Sequence, residues 1–135
     1  MLNFRKKNFT RDDFFDAARN GNLKVLQQAL EQGVKVDATD GSGRTALCVA
    51  SKYNHIEVIK VLISTGAEVN HRTKEGRTPL FYAVKNFSSE AAQELLSHGA
   101  DPYIEDTGGF SPYSYARSTG AAKFNDLFVK HSSGD

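Results

Sequence analysis

Side chains able to do chemistry are few in this sequence, and none stands at a spacing that chemistry uses. Of the four histidines, His55, His71, His98 and His131, no two form the His-x-x-x-His pair that a helix offers to a metal. They fall between helices, in a loop, at a helix end and in the C-terminal tail, where a surface role is expected rather than a general base. Cys48 is the single cysteine, which excludes an internal disulfide and a Cys-based zinc site. It sits inside a helical pattern, where a thiol packs as a small inert apolar group. The run Gly41-Ser42-Gly43-Arg44 lacks the Gly-Lys-Ser/Thr ending of a phosphate loop and has no strand before it. Asp12-Asp13 and Asp101 through Asp106 lack calcium-loop spacing. The residues predict no catalytic site, no metal site and no cofactor. The chain reads as a non-enzyme.

The elements that would position any site are set by a composition ordinary for one folded domain. The chain has 135 residues, 39% hydrophobic and 24% charged, with 17 Lys and Arg against 16 Asp and Glu for a net charge of +1. That is too apolar for a disordered tail. No run approaches the ~20 apolar residues of a membrane helix. Arg5-Lys6-Lys7 has no apolar stretch behind it, so the N-terminus does not read as a secretory signal. The expectation is a cytoplasmic protein without a membrane span.

A period of 33 residues organises everything else. Gly33, Gly66 and Gly99 fall on it, as do Gly43, Gly76 and Gly109, and Ala17, Ala50, Ala83 and Ala116. The larger apolar residues keep the same register: Phe14, Leu47, Leu80 and Tyr113 form one column, and Ala29, Leu62, Leu95 and Phe128 another. Each unit predicts a short helix (Thr45 as N-cap, then Leu47 and Ala50), a break at Asn54-His55, and a second amphipathic helix through Val58, Ile59, Leu62 and Ile63. Gly66 follows, where a left-handed residue is wanted. Helices this short are marginal alone, so neighbouring units must stack into an array.

These residues resemble the ankyrin repeat, whose period and Thr-Pro-Leu-His signature are approached by Gly43-Arg44-Thr45-Ala46-Leu47-Cys48 and Gly76-Arg77-Thr78-Pro79-Leu80-Phe81. Gly109-Phe110-Ser111-Pro112-Tyr113-Ser114 is a weaker copy, and Gly66-Ala67-Glu68-Val69-Asn70 and Gly99-Ala100-Asp101-Pro102 match the family's unit ending. The resemblance covers residues 10 to about 130. It implies an all-α fold, an ankyrin-repeat solenoid of four helix-turn-helix units with short β-turn loops. The expected division is an N-terminal arm (1–9), repeat 1 as N-cap (10–39), repeat 2 (40–72), repeat 3 (73–105), repeat 4 as C-cap (106–130) and a tail (131–135). Thr10-Arg11-Asp12-Asp13 reads as a capping box with Phe9 and Phe14 as a hydrophobic staple. Arg117, in the column of Ala18, Ser51 and Val84, marks the other end. Two departures stand out. Cys48, Phe81 and Ser114 replace the signature histidine, which predicts looser loops, and Phe87-Ser88-Ser89 replaces the usual Gly-His between helices.

Ankyrin proteins grip partners with their protruding turns and the exposed face of each first helix. Carried over in register, the partner-binding residues are Arg19, Arg44, Lys52, Tyr53, Arg72, Lys74, Arg77, Lys85, Asn86 and Phe110. Across the presumed face, seven cations meet only Glu75 and Glu105. That polarity predicts an acidic protein partner, with Tyr53 and Phe110 as anchors. The resulting reading is a protein-protein interaction module, monomeric when free, that inhibits or sequesters its partner. A more specific version is an immunity protein neutralising a bacterial toxin. A different class, nucleic-acid binding through the same basic face, is disfavoured by the near-zero net charge and the lack of a basic groove helix or stacking platform.

Overall fold

A computed structural model describes residues 8–132, with side chains described through residue 129. Eight helices follow one another with no strand among the described residues: α1 (Arg11–Asn20), α2 (Leu23–Glu31), α3 (Ala46–Lys52), α4 (Ile56–Ser64), α5 (Pro79–Lys85), α6 (Ser89–Ser97), α7 (Pro112–Thr119) and α8 (Ala122–Ser132). Residues 1–7 of the expected arm, with Arg5-Lys6-Lys7, and 133–135 of the expected tail lie outside the described residues. Helix α8 itself runs two residues into the segment read as tail.

Local chemistry starts each first helix. The Thr45 hydroxyl accepts from the Cys48 amide at 3.4 Å and the Thr78 hydroxyl from the Phe81 amide at 3.3 Å. At the chain's start the capping box is complete, with the Asp13 amide donating to Thr10 Oγ1 at 3.2 Å and the Thr10 amide to Asp13 Oδ2 at 2.9 Å. Phe14 is fully buried and Phe9 packs against the core, the positions of a staple. Second helices end on left-handed glycines. Gly66 has φ +100°, and the Ala67 amide closes the helix on the Leu62 carbonyl at 3.0 Å.

Packing then does what such short helices cannot do alone. First helices stack in the order α1, α3, α5, α7, and second helices in the order α2, α4, α6, α8, so the units form two layers. The 33-residue columns are the core between them: Phe14, Leu47 and Leu80 are fully buried, as are Ala29, Leu62, Leu95 and Phe128. Each such leucine contributes about 2 kcal/mol of burial. Alanine in the 17, 50, 83 and 116 column keeps neighbouring first helices close. At the C-terminal end Arg117 is exposed, its Nη1 donating to the Tyr113 hydroxyl at 3.1 Å, where Ala18, Ser51 and Val84 are buried. Polar latches add to the stack: the Asp101 amide donates to Asn70 Oδ1 at 2.8 Å and the Glu68 amide to the Asp37 carboxylate at 3.2 Å.

Candidate functional site

The turns between units form three protruding fingers, residues 39–44, 72–77 and 105–110. Each is a tight turn closed on itself, the Gly43 amide donating to the Asp40 carbonyl at 2.9 Å and the Gly76 amide to the Thr73 carbonyl at 2.8 Å. Neighbouring fingers are tied in series by Lys74 N–H to the Ser42 carbonyl at 3.1 Å and Thr107 N–H to the Glu75 carbonyl at 2.9 Å. The looser loops expected without the signature histidine are therefore not what forms. Asp40, Thr73 and Asp106, one per finger in the same register, accept turn amides within their own fingers. Asp40 Oδ1 takes the Ser42 and Arg44 amides at 2.9 and 3.0 Å, and Asp106 Oδ1 takes the Gly108 and Phe110 amides at 2.9 Å each. His71 adds Nε2–H to the Gly43 carbonyl at 2.7 Å.

The first finger, α1 and α3 enclose a groove of about 370 Å³ lined by Arg19, Arg44, Lys52 and Tyr53 together with Asp12, Asp16 and Asp40, over a floor of Phe15 and Val49. Four of the expected contact residues are thus brought together. The acids beside them are what the sequence reading left out. Arg19 pairs with Asp16 at 2.9 Å and Arg44 with Asp40 at 2.9 Å, so this half of the face is balanced in charge. Helical and turn spacing held the signal: Arg19 stands three positions after Asp16, and Arg44 four positions after Asp40. Burial pushes the Asp40 carboxyl up, but the amide and guanidinium of Arg44 and the Ser42 amide outweigh it and hold its pKa below the usual carboxylate range.

Further along, the arginines are occupied within the chain. Arg77 Nε lies 3.3 Å from Asp106 Oδ2 in the next finger, its Nη1 is 3.7 Å from Glu75, and its guanidinium lies 4.9 Å from the Phe81 ring centroid. Asp106 is depressed in the same way as Asp40, the bonds from the Phe110 amide, Arg77 and the Gly108 amide outweighing its burial. Arg72 donates to the Glu105 carbonyl at 2.8 Å. With Asp12, Asp16, Asp40 and Asp106 included, the face carries seven cations against six anions. Exposed on this face are Arg19, Arg72, Lys74, Lys85 and the aromatics, with Lys52 half-buried. Lys74 and Lys85 are exposed, Lys52 Nζ lies 5.3 Å from the Tyr53 ring centroid, and Tyr53 and Phe110 are each 45% exposed. Asn86, exposed at the end of α5, donates to the Tyr82 carbonyl at 2.9 Å. Phe110 stands edge-on to Tyr115 at 6.4 Å, and Tyr115 packs on Phe81 at 5.2 Å. The face continues there as an aromatic step between the third and fourth units.

Cys48 is fully buried, and burial raises its thiol pKa. His55 Nε2 is spent on the Arg19 carbonyl at 2.8 Å, and His98 Nδ1 on the Glu94 carbonyl at 2.9 Å. His131 falls among residues whose side chains are not described. No cluster of three or more His, Cys, Asp or Glu could hold a metal among the described residues. Nor is any described helix long and apolar enough to cross a membrane.

Stacked helical hairpins with a ladder of fingers and an open groove define a repeat solenoid built to hold a partner. The chain matches the family model described as Ankyrin repeats (3 copies) over residues 14–106. It belongs to the ankyrin-repeat family, a protein-protein interaction module whose repeats bind protein partners. It is also similar to Ankyrin repeat domain-containing protein 29 of Danio rerio, 46% identical over 55 residues that make up 40% of this chain and 18% of that protein.

Proposed function

We propose that this chain binds an acidic surface of another protein through its fingers and first-helix face, and by covering that surface inhibits or sequesters its owner. The carrying observation is the division of labour among the cations. Arg44, Arg72 and Arg77 are held by acceptors within and between fingers. Lys74 and Lys85 are exposed, and Lys52, half-buried, rests over the Tyr53 ring. None of the three is ion-paired among the described residues, which leaves their charge to a partner beside the half-exposed rings of Tyr53 and Phe110. Lysines at a rim speed encounter and orient it, while aromatic rings supply most of the contact energy. The arginines act as positioning residues, which replaces the simpler picture of an all-basic grip. An immunity protein for a toxin is the narrower form of this reading, and an acidic target surface fits it better than the basic active site of a nuclease.

The test is charge reversal of Lys52, Lys74 and Lys85 together, measured against the partner recovered by crosslinking in the native host. Affinity should fall about tenfold or more, with an unchanged melting curve, because none of the three holds the fold. Unaltered affinity would remove the lysine face. Equal binding to unrelated RNA and DNA, lost steeply with salt, would favour nucleic acid instead.

A further inference from the structure

One residue in each unit must turn the chain sharply between the two helices, and in all four it is left-handed: Gly21 at φ +73°, Asn54 at +63°, Phe87 at +58° and Gly120 at +71°. Glycine adopts that conformation freely, and asparagine is the usual tolerated substitute. Asn54 also gains from its seat, its Oδ1 accepting from the Ala91 amide at 2.9 Å and its Nδ2 donating to Glu90 Oε2 at 3.2 Å. A bulky aromatic residue there is a true outlier. Phe87 gains no comparable bond from its side chain. Its ring is 58% exposed, and among the described residues no other ring stacks on it.

The surrounding turn holds this strained conformation firmly. Ser88, 5% exposed, donates its amide to the Ala83 carbonyl at 2.8 Å and its hydroxyl to the Lys52 carbonyl at 2.9 Å, and the Phe87 amide reaches the Val84 carbonyl at 3.2 Å. The Ser88–Lys52 bond also ties the turn of the third unit to the last turn of α3, which places Phe87 on the same edge as Tyr53. Strain opposes folding and the exposed ring gains little burial to offset it, so a segment that holds both has the character of a presented contact. Cations predominate at the first-helix ends, while the carboxylates of Glu57 and Glu90 stand on the second-helix side of the turns. The helix ends carry Arg19, Lys52 and Lys85 beside Asn20, Tyr53, Asn86, Ser118 and Thr119, with no acid among them. Asp16 is engaged by Arg19, and Glu90 by Asn54.

We infer that this turn edge, centred on Phe87 and extended by Tyr53, is a second contact surface at the end of the first helices away from the fingers. Its ligand is a polypeptide segment of a partner protein that presents an apolar side chain flanked by Asp or Glu: the ring pairs with the apolar group, and Lys52 and Lys85 with the acids. It shares those lysines and Tyr53 with the proposed face, and rests on the protein-binding reading to that extent. Phe87 belongs to the edge alone.

The experiment uses a phage-displayed library of random 12-residue peptides, selected on the full chain and then titrated against Phe87→Asn and Lys74→Glu. Phe87→Asn keeps a residue suited to the left-handed turn, so it should melt at the same temperature or higher. Selected peptides should hold an apolar residue between acids and lose affinity about tenfold or more on Phe87→Asn, while Lys74→Glu in the fingers leaves them unchanged. Peptides bound equally by Phe87→Asn and the parent chain would overturn the edge, as would a pool without acidic residues or no enrichment at all. A lower melting temperature for Phe87→Asn would overturn the strained placement and the inference with it. Loss on Lys74→Glu alone would leave the finger face standing and remove the edge.

Discussion

At the scale of single residues, the same column position does different work in successive units, and burial decides which. The column of Phe15, Cys48, Phe81 and Ser114 runs along the first helices. Phe15 floors the groove, Phe81 lies under the Arg77 guanidinium, and Cys48 is sealed beneath the surface with the Thr45 hydroxyl 3.5 Å from its sulfur. A thiol that must leave an apolar site to ionise reacts only when the structure opens. Cys48 should therefore be silent toward a thiol-specific reagent in the native protein and react fully in denaturant. Stoichiometric labelling in buffer, faster than global unfolding measured by hydrogen exchange, would contradict its placement.

Elements in this protein are short, and their ends matter as much as their interiors. Two glycines show two reasons for needing no side chain. At Gly66 an added Cβ would meet nothing within 4 Å, so only its φ of +100° opposes substitution. At Gly76 an added Cβ would lie 3.2 Å from Asp106 Cα and from the Thr107 nitrogen, backbone that cannot swing aside. Gly66→Val should destabilise by about 1 to 2 kcal/mol from conformation alone. Gly76→Ala, though smaller, should cost at least as much and should also loosen the third finger, since the clash is with that finger's own backbone. Urea melts of the two variants, with amide exchange at Thr107 as the local readout, check this. A milder effect at Gly76 than at Gly66, with Thr107 still protected, would mean that the fingers are not in close contact.

Across the whole molecule, the fingers form a continuous rail, and Asp106 is its deepest charge. Its side chain is only 5% exposed and faces Arg77 of the preceding unit. Bonds to the ionised carboxylate place its folded pKa below the unfolded value of about 3.9. The stabilisation is thus complete above that value and is lost as pH falls below it toward the folded pKa. Asp40 acts in the same direction. Stability should be flat from neutral pH to about 4.5 and drop below about 4, with the fourth unit loosening first. In Asp106→Asn the acid-dependent loss should shrink while stability at neutral pH falls, because Arg77 keeps only the more distant and exposed Glu75 as a carboxylate partner. Equal acid sensitivity in the variant would assign the effect elsewhere.

How the chain folds was legible because the repeat is written in residue types. Small, large apolar, glycine and capping residues recur every 33 positions, and a stack of identical units has only one way to bury columns that lie in register. The single-unit features Thr10-Asp13, Thr45 and Gly66 were legible too, since caps act over three or four residues. Charge on the face was not. Which acid lies against Arg77 depends on Asp106, 29 residues away and in another finger, and a tally along the sequence leaves such a partner out. Phe87 was visible as a departure between the helices, but its residue type does not show that the turn there is left-handed, which the packing of the helices on either side decides. Periodicity set the architecture by itself. The meeting of units in space decided which side chains were consumed in holding it and which were left for a partner.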